Sequence, residues 1–241
     1  MTKSRSDQPR VALITGGGQG IGLATARVFT RAGFAVVIAG RNESRLRAAA
    51  AELQRDKARA VAQLCDVTDP ASVEKLIAAV REDHASIDVL FNNAGVAHAA
   101  ATVEKLPIAN WKQVVDTNLT GMFLVTRAAL PLMHAGATIV NNLSVAATQS
   151  FPGMAAYNAS KAGALGFTNV LREELRKRGI RVLALLPGAV ATEIWNQFWP
   201  DAPKEKMLSA ETVAEAVLHA ANAPAAAAIE EIRIGPATGV L

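Results

Sequence analysis

A short apolar run, Val11-Ala-Leu-Ile-Thr15, leads directly into Gly16, Gly17, Gly18, Gly20 and Gly22, and an amphipathic stretch from Ile21 to Arg31 begins within those glycines. A run so brief and so apolar reads as a strand buried on both faces, and such strands belong to parallel sheets covered by helices on each side. The glycines let the backbone turn sharply and approach a ligand. The helix opening behind them presents free amides and a positive dipole end, and together these are the parts of a diphosphate site. The spacing Thr15-Gly16-x-x-x-Gly20-Ile21-Gly22 departs from the usual Gly-x-Gly-x-x-Gly fingerprint, so by itself it also fits a glycine turn without a ligand.

The same alternation of apolar strand and longer amphipathic segment continues along the chain. Val11–Thr15, Ala35–Ala39, Val61–Leu64, Val89–Phe91, Thr138–Asn142, Val182–Leu186 and Ile232–Ile234 read as strands. Such a pattern implies right-handed crossovers and an α/β fold, a doubly wound parallel sheet of Rossmann type with helices on both faces. With 241 residues, 51% of them hydrophobic, and no linker-like segment, the chain is expected to form one domain over residues 10–241 behind a flexible polar tail, residues 1–9.

Chemistry enters with Tyr157 and Lys161, four residues apart in Tyr-Asn-Ala-Ser-Lys, and with Ser144 at the close of an apolar, β-branched run. Residues four apart on a helix share a face, so the ammonium can approach the phenol. A tyrosine titrates near pH ~10 and is a poor proton-exchange partner at neutrality. One ammonium about 4 Å away, at an effective dielectric near ~20, supplies about 4 kcal/mol of preference for the phenolate, or roughly three pKa units. An isolated Tyr-x-x-x-Lys is far more often a plain helix face, and the surrounding residues decide between the readings.

Several function classes are disfavoured. The net charge is +4, but Lys3, Arg5 and Arg10 against Asp7 supply half of it, and no aromatic-interleaved basic stripe follows, so no nucleic-acid partner is expected. Met1 to Arg10 lack the apolar core of a signal peptide and no apolar segment is long enough to span a bilayer, so no membrane association and a cytoplasmic setting are expected. Cys65, the lone cysteine, reads as a buried strand residue and suits a reducing compartment. The histidines at 84, 98, 134 and 219 show no metal-ligand spacing, so no metal is expected; His98 either borders the substrate or has no role.

From Arg10 to Thr192 the chain resembles the short-chain dehydrogenase/reductase family. The matching residues, in family order and at family spacing, are Thr15 to Gly22, Asp66-Val67, Asn92-Asn93-Ala94-Gly95, Asn118, Ser144, Tyr157 with Lys161, and Pro187-Gly188 with Thr192. The resemblance implies a nicotinamide cofactor held by Gly16, Gln19, Gly20, Ile21 and Gly22, with Asp66, Val67, Asn93 and Gly95 about the adenine. Pro187, Gly188, Val190 and Thr192 would hold the nicotinamide end. It implies a catalytic set of Asn118, Ser144, Tyr157 and Lys161, in which Ser144 orients the substrate oxygen and Tyr157 exchanges the proton. Lys161 would bind the nicotinamide ribose and acidify Tyr157, and Asn118 would mark a helix distortion whose carbonyl positions a water beside Lys161.

Cofactor preference rests on the end of the second strand. Gly40 stands where NAD-preferring relatives place a carboxylate, and Arg41 follows where NADP-preferring ones often carry arginine. A guanidinium suits a 2′-phosphate. NADP is therefore expected and NAD disfavoured, although Gln19 is not the further basic residue that some NADP enzymes carry in the glycine loop. Residues 189–208 fall where relatives place a substrate lid, and Trp195, Phe198 and Trp199 would close it over an apolar or aromatic ketone or secondary alcohol. Lys204 and Lys206 leave a 3-oxoacyl thioester (acyl-carrier-protein or coenzyme A) reductase as the alternative. A dinucleotide-sensing regulator without turnover would need none of Ser144, Tyr157 and Lys161. Long helices around Asn110–His134 and Ala155–Arg178 are expected to form a homodimer, or part of a homotetramer, although the ending Glu230-Glu-Ile-Arg-Ile-Gly-Pro236 departs from the tail of many tetrameric relatives.

Overall fold

The computed structural model describes residues 9–56, 59–224 and 226–239, so the expected tail lies outside the described residues except for Pro9. Strands β1 (Val11–Thr15), β2 (Ala35–Gly40), β3 (Ala60–Leu64), β4 (Ile87–Asn92), β5 (Met133–Asn142), β6 (Arg181–Pro187) and β7 (Glu231–Ile234) form one seven-stranded sheet in the order β3-β2-β1-β4-β5-β6-β7. Every neighbouring pair is parallel. The helices are α1 (Gly20–Arg31), α2 (Glu43–Leu53), α3 (Pro70–Asp83), α4 (Ile108–Val115), α5 (Gly121–Ala129), α6 (Ala155–Arg176) and α7 (Ala210–Ala221). This is a single doubly wound α/β domain.

Alternate side chains of one strand enter different cores. Ile14 of β1 and Ile38 of β2 join Phe29 of α1 and Val217 of α7, whereas Leu13 and Val37 join Leu76 of α3 and Leu175 of α6. Both faces are apolar because both are covered, which is why β1 reads as a continuous run and not as an alternating one.

β1 has the expected bounds and the other six strands run longer than the sequence pattern, β5 most of all. Its first half, Met133–Ala137, precedes the segment expected as strand and begins where the sequence pattern predicts the end of a helix. The helix expected to reach His134 instead ends at Ala129; Leu130-Pro131-Leu132 makes a 3₁₀ turn and Met133 pairs with Ile87. Pro131 cannot continue a helical ladder, and its ring forces the exit. His134 then meets Asp88, Nε2 to Oδ1 at 3.0 Å.

A buried polar chain fixes α5 and α6 against the sheet. Asn92 Nδ2 donates to Thr126 Oγ1 at 2.8 Å and to Asn141 Oδ1 at 2.9 Å. Asn141 Nδ2 donates to Thr168 Oγ1 at 2.9 Å, and Thr168 donates to Ala164 O at 2.6 Å. Removing one member strands buried partners, so Asn141→Leu should lose about 3 kcal/mol of unfolding free energy. Urea denaturation checks this, and a loss below about 1 kcal/mol would show that the chain does not brace the helices.

Candidate active site

The order of strands reverses between β1 and β4, leaving a crevice at their carboxyl ends. There Thr15 Oγ1 accepts hydrogen bonds from the amides of Asn93 at 3.0 Å and Ala94 at 3.1 Å. Asn93 Nδ2 returns bonds to Thr15 O at 3.0 Å and Gly16 O at 3.2 Å, and its Oδ1 accepts from Asn142 Nδ2 at 2.8 Å. The ends of β1, β4 and β5 are thereby tied together. Gly16 adopts φ +66°, and a Cβ on Gly22 would stand 2.3 Å from Gly16 O, so the turn folds back tightly on the start of α1. Gln19, the N-cap of α1, makes no capping bond with its side chain, and no acidic residue occupies the first turn. The helix therefore presents bare amides and its positive dipole end to the cleft.

The opposite wall comes from β5, the α4–α5 helix and α6. Between α4 and α5 the residues Asp116–Thr120 form a π turn, the helix distortion expected at Asn118. Asn118 is fully buried; its Oδ1 accepts from Val96 N at 2.8 Å, and its Nδ2 donates to Val96 O at 2.9 Å and Ser160 Oγ at 3.1 Å. This clamps the loop after β4 to α6. On α6, Tyr157 and Lys161 do share one face. Ser144, in extended backbone just past β5, starts a 3₁₀ turn by accepting from Ala146 N at 3.1 Å, and it lines the same cleft wall as Tyr157.

The electrostatics differ from the sequence expectation. Lys161 Nζ lies 5.6 Å from the centroid of the Tyr157 ring and donates to Asn142 O at 2.9 Å. Burial raises the Tyr157 phenol above its usual range, and the neighbouring Ser144 hydroxyl opposes it only in part. Burial likewise pushes the Lys161 ammonium down to about 8. In this arrangement the lysine does not acidify the phenol, because desolvation outweighs a cation that is itself turned toward a backbone carbonyl.

The crevice opens into a cleft of about 1010 Å³ lined by Gly16, Gln19, Gly20, Ile21, Arg41, Val67, Asn93, Gly95, Ser144, Tyr157, Lys161, Pro187, Gly188, Val190, Thr192 and Trp195. Three expected site residues stand behind it: Gly22 in the folded turn, Asn118 in the clamp, and Asp66. The Asp66 carboxylate accepts from Thr68 N at 2.9 Å and Thr68 Oγ1 at 2.8 Å, and Arg41 Nη1 lies 4.0 Å from its other oxygen. Cys65 is buried one residue beyond β3, and burial raises its thiol further. His98 is buried with Nδ1 2.8 Å from Ala99 O and is not part of the cleft wall.

Several wall residues escaped sequence reasoning. Arg45 of α2 reaches Gln19 Oε1 across the mouth of the cleft. Arg233 to Pro236 join the wall because Gly188 N donates to Ile234 O at 2.7 Å, which draws the segment after β7 alongside Pro187-Gly188. The available signal was the Gly235-Pro236 break after the last strand. In the segment expected as a lid, Trp195 Nε1 donates to Val190 O at 2.8 Å and its ring meets Phe198 at 4.8 Å. Gln197 Oε1 accepts from Ala97 N at 2.9 Å, joining this segment to the loop after β4.

The family model described as short chain dehydrogenase matches residues 10–203. The chain is 36% identical to sulfoacetaldehyde reductase 2 of Chromohalobacter salexigens over 94% of each protein. Among solved structures it is similar to an alcohol dehydrogenase of the archaeon Thermococcus sibiricus complexed with 5-hydroxy-NADP, at 27% identity and TM-score 0.89 over 97% of this chain and 99% of that one. It is also similar to a variant of the actinorhodin polyketide ketoreductase with NADPH, at 33% identity and TM-score 0.84 over 94% and 95%. A similar 3-ketoacyl-(acyl-carrier-protein) reductase from Brucella melitensis is complexed with NADH, at 28% identity and TM-score 0.86 over 95% and 97%.

Tyr157 is the only tyrosine in the chain, so tyrosinate absorbance reports it alone. Titration of the protein without added cofactor should give a midpoint above the ordinary value of about 10; a midpoint clearly below it would mean that Lys161 governs the phenol after all. Lys161, depressed to about 8 from 10.5, holds its proton less tightly folded than unfolded. Its burial therefore subtracts from stability below pH 8, and the deficit fades as pH rises from about 8 to 10.5. At about 1.4 kcal/mol per unit, less roughly 1 kcal/mol for the lost hydrogen bond, Lys161→Met should gain about 2 kcal/mol at neutral pH. Melting curves across that window test it, and a variant no more stable than the parent at pH 7 would contradict it.

Proposed function

The chain belongs to the short-chain dehydrogenase family and is an oxidoreductase of that family, and on this premise we propose that it is an NADP-dependent enzyme acting on an apolar or aromatic ketone or secondary alcohol. The observation that carries the reading is the meeting of Ser144, Tyr157 and Lys161 on one wall of a cleft that runs on to the uncapped start of α1. The cofactor end fits a dinucleotide: bare amides await a diphosphate at Gly20, and glycine at 16 and 20 holds the backbone in left-handed turns close to it. Gly40 offers no carboxylate to repel a 2′-phosphate, and Arg41 lies beside it. Val67, Asn93 and Gly95 would flank the adenine, with Asp66 and Gly22 shaping the walls from behind. Pro187, Gly188, Val190 and Thr192 would hold the nicotinamide end.

The cofactor supplies the hydride at nicotinamide C4. Ser144 donates a hydrogen bond to the substrate oxygen and fixes it against Tyr157. As that oxygen gains charge in reduction, both hydrogen bonds strengthen, which is where they accelerate the reaction. Tyr157, whose phenol is protonated at neutral pH and is raised further above its usual range by burial, gives up its phenolic proton to that oxygen. Lys161 would turn toward the nicotinamide ribose and, brought closer to the phenol, offset the burial that raises it. Asn118 fixes Val96 and Ser160, and through Ser160 the backbone of Tyr157, since Ser160 Oγ donates to Tyr157 O at 2.8 Å. The expected water beside Lys161 belongs to this proposal.

Trp195, with Ile194 and Phe198 beside it, makes the substrate end apolar, which supports the ketone reading. The reductase of 3-oxoacyl thioesters is the second reading, favoured by the likeness to the polyketide ketoreductase and by exposed Lys204 and Lys206 at the lid. Trp111, Phe123 and Val170 expose apolar surface at 42%, 43% and 59% on α4, α5 and α6, which supports a homodimer through these helices, alone or within a homotetramer. Light scattering distinguishes these states. No helix among the described residues is long and apolar enough to cross a membrane, and a cytoplasmic location is part of the proposal.

Tyr157→Phe should reduce turnover by about 10²-fold or more while leaving NADP(H) binding within about twofold. Near-normal turnover would remove Tyr157 from the mechanism. NADPH consumption with simple aryl and alkyl ketones should exceed that with acetoacetyl thioesters, and the opposite ranking would select the second reading. Parallel assays with NADH should show lower kcat/KM, and a preference for NADH would overturn the cofactor assignment.

A further inference from the structure

Resting on the NADP reading, we infer that Arg45 supplies a second cation for the cofactor's 2′-phosphate, delivered from the first turn of α2 where the glycine turn offers only Gln19. Asn42 caps α2 by accepting from Arg45 N at 3.0 Å, so the helix begins directly after Arg41 and carries Arg45 back over the mouth of the cleft. Both arginines line that cleft. The Arg45 stem lies against the glycine turn: a Cβ on Gly18 would come within 3.6 Å of Arg45 Cβ, an ordinary contact that glycine leaves open.

The charges decide what this arrangement suits. Arg45 Nη1 donates to Gln19 Oε1, a neutral acceptor that orients the guanidinium without neutralising it. Arg41 has a carboxylate at 4.0 Å, Asp66, and the remaining acid of the α2 start, Glu43, is engaged by Arg47 at 2.5 Å. A guanidinium has several N–H donors, and the Gln19 contact uses one, leaving others for a phosphate. Nucleotides without the 2′-phosphate offer neutral ribose hydroxyls there, for which two cations have no use. Gln19 thus holds in place the cation that it does not itself provide.

Calorimetric binding of NADP⁺ and NAD⁺ to the whole protein and to Arg45→Met, Arg45→Lys, Arg41→Met and Gln19→Ala tests the inference without turnover. Arg45→Met should weaken NADP⁺ by about tenfold or more and NAD⁺ by no more than about twofold. Arg45→Lys should recover part of the loss, and the NADP⁺ advantage of the parent should shrink with salt. Adenosine 2′-monophosphate, competing with NADP⁺, should lose affinity in the same variants. Equal weakening of both dinucleotides, or no change in either, would overturn the role of Arg45 while leaving NADP preference intact in the parent. A parent that binds NAD⁺ as tightly as NADP⁺ would instead defeat the cofactor reading itself, and this inference with it.

Discussion

The site depends on three strand ends that must remain in register at the place where the sheet reverses direction. Thr15, Asn93 and Asn142 contribute a threonine hydroxyl and two carboxamides that hydrogen-bond one another and the backbone of the glycine turn. A strand end has amides and carbonyls that no ladder partner reaches, and burying them bare would be costly. Here they are satisfied by side chains from neighbouring strands. The arrangement fixes the glycine turn relative to Asn142, whose carbonyl in turn holds Lys161. The glycine turn and the wall that carries Lys161 therefore share a single hydrogen-bonded frame.

Burial works against charge at the other end of that frame. Lys161 and Tyr157 both lie where water is scarce, and each shifts toward its neutral form. For a proton donor in reduction this is suitable, since the phenol keeps its proton until an oxygen gaining charge asks for it. For the lysine it is a cost to the fold, retained in a position where a bound nucleotide would meet the ammonium. Conflict of this kind between stability and placement is expected at active sites and is uncommon elsewhere in a core.

The relatives set the chemistry and leave the substrate open. Proteins named as a sulfoacetaldehyde reductase, an alcohol dehydrogenase, a polyketide ketoreductase and a 3-ketoacyl-(acyl-carrier-protein) reductase all resemble this chain along most of its length. In this chain the outer end of the cleft combines Trp195, Phe198 and Gln197 with the segment after β7.

Much of this was legible in the sequence because the determining signals are local. Strand and helix periods repeat over a few residues, the glycine turn is contiguous, and Tyr157 with Lys161 are one helical turn apart, so neighbours along the chain encode them. Pro131 could have marked the end of the helix before β5, but the alternation that would identify Met133–Ala137 as strand is broken by Gly136, and pairing with Ile87 decided it. The reach of Arg45 to Gln19, the approach of Ile234 to Gly188, and the turning of Lys161 toward Asn142 join residues far apart in sequence, or depend on a desolvation that only packing creates. Sequence alone determined the layers, the turn and the placing of Tyr157 and Lys161 on one helix face, since each follows from side-chain type at fixed spacing. Tertiary structure alone decided which cations line the cleft and in which direction burial shifts the phenol and the ammonium, since charge and burial are properties of neighbours in space.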